Sequence, residues 1–191
     1  MRPRSSRGRL LAGGAAAAIA VGASLALVAP SSAEPVNGGK TVLVPNQDTF
    51  EALSDVGIVI DTTGAAKFGG KGIKFPVSGG IVGEAGKDTI EHKGGLLLSR
   101  GEGEAVKLSK LVVVLGGEKG KVFAKSDHAE LAFLKLDLSA AEQSGVPGSI
   151  SIEGADASLT KQSAAVLSEV FAEDIRKGFA VGELEIEALV G

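Results

Sequence analysis

The sequence contains no cysteine, tryptophan or tyrosine, and seven phenylalanines and two histidines are its only ring-bearing side chains besides proline. Without thiols there is no disulfide, no cysteine nucleophile and no thiolate metal site, so the fold must be held by packing alone. Without tryptophan or tyrosine the usual platforms for stacking sugars and bases are missing, as are the commonest interface anchors. Two chemical motifs are also absent. No Gly-x-x-x-x-Gly-Lys-Ser/Thr run cradles a phosphate, and no Gly-x-Ser-x-Gly elbow presents a serine. The expectation is a protein that is not an enzyme. An extracellular hydrolase, the alternative, would need an acid to meet His92 or His128 in a deep pocket.

What is present begins with an export signal. Arg2, Arg4, Arg7 and Arg9 precede an uncharged stretch from Leu10 to Val28, which Ser31-Ser32-Ala33 follows as a small-residue processing site. This is the order of a cleavable signal peptide spanning 1–33, and the Gly- and Ala-rich run argues against a retained membrane anchor. No cysteine stands at the cleavage site for lipid attachment, and the arginines are not adjacent as a twin-arginine signal requires. The mature chain is expected outside the cytoplasm, secreted or associated with the cell wall. It keeps 16 basic against 23 acidic residues, a net charge of −7, which disfavours nucleic acid and anionic membrane as partners.

Residues 34–40 read as a short flexible lead-in, and 41–191 as one β-rich domain. Thr41 to Val44 reads as a strand. Asn46 then caps a short helix through Val56, with Phe50, Leu53 and Val56 on one face and Gly57 as its stop. Ile58 to Ile60 resumes a β pattern, and β signals continue over 72–82, 89–99, 105–115, 121–125, 131–138 and 149–153. Glycine pairs and polar turns divide these runs. Thr160 caps a second helix with Ala164, Leu167, Val170 and Phe171 on its apolar face, and Gly178 releases the chain. A last strand follows in which Leu184, Ile186 and Ala188 alternate with Glu183, Glu185 and Glu187. Short strands at this spacing predict a mainly β fold, an antiparallel β-sandwich or barrel-like fold with two short helices. The glutamate row predicts a solvated face.

Two residues could bear a ligand chemistry. His92 stands before Gly94-Gly95 and the apolar Leu96-Leu97-Leu98. It either ends a strand at a turn or faces a pocket for a small apolar ligand, with Phe75 and Leu96 nearby. His128 lies in Lys125-Ser126-Asp127-His128-Ala129-Glu130, a polar stretch between strands. Each histidine is a weak candidate metal ligand that lacks evident partners.

Three stretches together resemble a known family: Phe75-Pro76-Val77-Ser78-Gly79-Gly80, then Ile90-Glu91-His92-Lys93-Gly94-Gly95-Leu96, then Leu136-Asp137-Leu138-Ser139 with the Leu159-Thr160 helix start. They look like secreted actinobacterial proteins similar to the HtaA haem-uptake domain. The resemblance implies a β-rich binding module of the cell envelope, and haem held through an axial tyrosine that a histidine supports. His92, with Gly94 and Leu96, matches the histidine. The tyrosine has no match, so haem would need His92 or His128 as direct ligand. A cell-wall component is another possible partner. Thr41-Val42-Leu43-Val44-Pro45-Asn46, with Phe50 and Leu53, also looks like the start of a fasciclin-type adhesion domain, over about a tenth of the chain.

Overall fold

The computed structural model describes residues 33–83, 87–127 and 129–191. Most of the predicted signal peptide, 1–33, and His128 lie outside the described residues.

Among the described residues the alternating runs pair into twelve antiparallel strands, eight of which close on themselves. The ring runs β1 (Glu34–Pro45), β4 (Gly72–Val82), β5 (Asp88–His92), β7 (Glu104–Gly116), β8 (Lys119–Lys125), β9 (Glu130–Asp137), β11 (Ser149–Leu159) and β12 (Ala180–Val190), which returns to β1. The β7–β8 pairing makes it a barrel and not a sandwich. Eight strands leave an interior that side chains can just fill. The other strands extend it: β2 (Val59–Thr63) pairs with β6 (Gly95–Arg100), β3 (Lys67–Gly69) with β4, and β10 (Glu142–Val146) with β11.

Inside and outside follow the period of two. On β12, Leu184, Ile186 and Ala188 are buried, while the glutamates between them face out and meet lysines: Lys40 lies 3.1 Å from Glu187 and Lys71 lies 3.0 Å from Glu185. Strand β7 bends where Lys110 takes a positive φ of 50°. The register shifts there between Ser109 and Val112, which lets β7 pair with β6 along its first half and with β5 and β8 along its second.

The lead-in proves to be strand. Residues 34–40 are the first half of β1, paired with both β4 and β12. Their sequence does not alternate, because Asn37, Gly38 and Gly39 contribute backbone pairing without apolar side chains. The predicted 89–99 run is also two strands, broken at Lys93-Gly94.

Both helices cover one end of the barrel. Helix α1 (Gln47–Asp55) starts where the Asn46 side chain accepts from the Thr49 amide at 3.1 Å. Phe50 and Leu53 pack on the core, but Val56 lies past the helix end and is exposed. Helix α2 (Lys161–Phe171) starts in the same way, with Thr160 accepting from the Ser163 amide at 3.1 Å, and buries Ala164, Leu167 and Phe171. Its end is fixed from outside. Arg100 on β6 donates to the Phe171 carbonyl and pairs with Glu104 and Glu173, while Ala172 adopts a left-handed conformation.

Candidate functional site

On β5 the alternation sends Ile90 and His92 inward and Glu91 outward. His92 is 7 % exposed, so it does more than end a strand at the surface. Its Nε2 lies 2.7 Å from Oγ1 of Thr41, an inward residue of β1 that is 2 % exposed. Its Nδ1 lies 3.2 Å from the carbonyl of Leu111, within the β7 bulge. A carbonyl only accepts. Nδ1 therefore carries the proton, and Nε2 accepts from the Thr41 hydroxyl. Burial pushes the His92 pKa down to about 4, against the opposing pull of the Leu111 carbonyl, so the ring is neutral at physiological pH.

This hydroxyl–imidazole pair borders a cavity of about 30 Å³ whose other walls are hydrocarbon, among them Phe75, Leu111, Val122 and Leu184. A second cavity, of about 40 Å³, lies beneath α1 and α2 and is lined by Phe50, Leu53, Leu167 and Phe171 among others. Leu43, Leu96 and Phe133 border both.

Similarity to known proteins is visible in the fold. The C-terminal domain of HtaA from Corynebacterium glutamicum superimposes with a TM-score of 0.66 at 16 % identity, covering 83 % of this chain and 99 % of that domain. The N-terminal domain of the same protein gives 0.61 at 13 % identity, covering 82 % and 98 %. HtaB of that organism, a heme binding protein, gives 0.52 at 12 % identity, covering 84 % and 96 %. The fold is that of an HtaA domain. No family model and no curated protein sequence matches the chain.

Within this HtaA fold the predicted residues divide. His92, Phe75 and Leu96 come together on the cavity walls. Gly94 and Gly95 do not line it; they shape the turn that places His92 and Leu96. Gly94 has φ +87°, and a side chain there would drive its Cβ into the Ala66 nitrogen and the Thr63 carbonyl, while one on Gly95 would strike the Leu108 carbonyl. His92 touches a threonine and a backbone carbonyl, and among the described residues no three His, Cys, Asp or Glu side chains gather as metal ligands. Sequence reasoning missed Thr41, Leu43, Leu111 and Phe133. Nothing local marks Thr41 as the partner of His92, because the strand register alone brings them together.

Proposed function

We propose that this protein is an exported, non-enzymatic binding module that holds a small apolar molecule inside its barrel, beside His92. The observation that carries the reading is the neutral Thr41–His92 pair set in an interior otherwise lined by hydrocarbon. Burying an imidazole there costs stability that leucine or valine would not, and such departures from a plain core concentrate at functional sites. The signal-peptide order of residues 1–33 supports placement outside the cytoplasm. Among the described residues no helix is long and apolar enough to cross a membrane. Thr41 and His92 have the spacing of a nucleophile and its base, but both are buried and no carboxylate orients the ring, which supports binding over hydrolysis.

Haem is the second reading, favoured by the fold shared with the heme binding protein HtaB. The described residues do not fit it. The hydroxyl that His92 holds belongs to a threonine, far too weak an acid to give the anionic oxygen that a tyrosine offers ferric iron. Both nitrogens of His92 are engaged, and cavities of about 30 and 40 Å³ have no room for a planar macrocycle.

Titrating the purified 34–191 chain separates the two. With hemin, no Soret shift that depends on His92 is expected. With 1-octanol, amide shifts confined to the cavity walls are expected in heteronuclear spectra. A Soret band abolished by His92→Ala would establish haem instead, and a chain that responds to neither ligand is no binding module of this kind.

A further inference from the structure

We propose that Asn37-Gly38 is a self-modifying site, at which the asparagine side chain cyclises onto the next backbone nitrogen with loss of ammonia, and that Gly191 holds this reaction in check.

The site is marked by what the ladders leave out. Strand β1 pairs with β12 on one side and with β4 on the other. Among the described residues, Asn37 alone of its twelve residues has a partner in neither: the β12 register steps from Val36 to Gly38, and the β4 register from Pro35 to Lys40. Asn37 is the extra residue of a bulge, and it is exposed to water. The residues after it favour ring closure. Gly38 has no side chain to crowd its nitrogen, and Gly39 takes φ +118°, a conformation that other residues rarely adopt. The chain's other asparagine has neither feature. Asn46 precedes Gln47, and its side-chain oxygen accepts from the Thr49 amide at 3.1 Å.

The reaction needs only water. The Gly38 nitrogen gives up its proton and bonds to Cγ of Asn37; the Cγ–Nδ2 bond breaks, and Nδ2 takes up a proton and leaves as ammonia. Water then opens the cyclic imide at either carbonyl. One opening gives aspartate and the other isoaspartate, which carries an extra methylene in the backbone, and each adds a negative charge.

Gly191 restrains the first step. Nδ2 of Asn37 donates to the Gly191 carbonyl, and the Gly191 amide donates to the Pro35 carbonyl at 3.0 Å, so one residue grips both sides of the bulge. A carboxamide anchored there is not free to turn its carbon onto the Gly38 nitrogen. The product cannot remake the clasp. A carboxylate only accepts hydrogen bonds, as the Gly191 carbonyl does, so the two oxygens repel and the end of β12 loosens.

Ageing the purified 34–191 chain in mildly alkaline buffer, followed by digestion and mass spectrometry, tests the proposal beside a 34–190 chain and Gly38→Ala. Gly38 has no positive φ, and a Cβ there would meet only Leu189 Cδ1 at 3.8 Å, so the alanine variant should fold. Asn37 is expected to convert to aspartate and isoaspartate while Asn46 stays intact. Conversion should be several-fold faster in the 34–190 chain and several-fold slower in Gly38→Ala. The converted chain should lose hydrogen-exchange protection first at Ala188–Val190. An Asn37 that survives in the folded chain under conditions that convert it in urea would overturn the proposal, and so would conversion no faster once Gly191 is removed.

Discussion

Oγ1 of Thr41 and Nε2 of His92 lie 2.7 Å apart across 51 residues of sequence, and the hydroxyl is the donor because the ring's other nitrogen is committed to Leu111. Thr41→Val keeps the shape and deletes the donor, leaving a buried acceptor unsatisfied. The expected loss is about 1–3 kcal/mol, a fall of a few degrees in Tm for a domain of this size. Thr41→Ser keeps the hydroxyl and should recover part of it. Urea denaturation of both variants measures this; a Thr41→Val chain as stable as the original would mean that the bond carries no stability.

The neutral state of His92 gives stability a pH dependence of definite sign. Its pKa falls from 6.5 to about 4 on folding. Between those values the unfolded chain takes up a proton that the folded chain refuses, so stability drops as the pH falls from about 6.5 to 4 and His92 adds no further loss below that. The contribution is about 3 kcal/mol at most. Denaturation at pH 7.5 and 4.5, compared between the original chain and Thr41→Val/His92→Leu, isolates it from the carboxylates. The double variant should lose less stability on acidification, and an equal loss in both would contradict a buried neutral ring.

The legible parts of the fold were those that local chemistry dictates. Asn46 and Thr160 announce their helices because a cap bonds an amide three residues on, and β12 announces itself because one of its faces is wet. Inward-facing His92 stood out as one of only two histidines before a glycine pair. Its partner did not, because β4 separates β1 from β5 and the approach of Thr41 to His92 depends on two registers at once. The narrow strands were equally hidden: β10, Glu142–Val146, is an exposed edge strand with no apolar alternation to betray it.

Arg100 fastens the end of α2 by a route that sequence does not show. Its guanidinium reaches the Phe171 carbonyl, Glu104 at 2.6 Å and Glu173 at 2.8 Å, and lies 6.0 Å from the Phe171 ring centroid. Arg100→Met should therefore speed hydrogen exchange in the last turn of α2 and leave the barrel strands unchanged. Arg100→Lys should fail to restore protection, because one ammonium cannot replace a planar fork. Protection in α2 that neither substitution alters would show that apolar packing alone holds the helix end.

The first half of β1 makes the sharpest contrast with a flexible lead-in. Glu34 and Pro35 pair with β4, Val36 and Gly38 onward pair with β12, and the last residue of the chain donates its amide to the Pro35 carbonyl at 3.0 Å. Val36 is buried in the core, and burying a valine contributes about 1.5–3 kcal/mol by itself. Deleting residues 34–39 removes that side chain and leaves edges of β4 and β12 unpaired on both sides of the gap. The shortened chain should lose at least about 2 kcal/mol relative to 34–191, with exchange protection collapsing first at Ile81–Val82 and Ala188–Val190. A chain beginning at Lys40 that matches the longer one in urea midpoint would return this segment to the status of a tether.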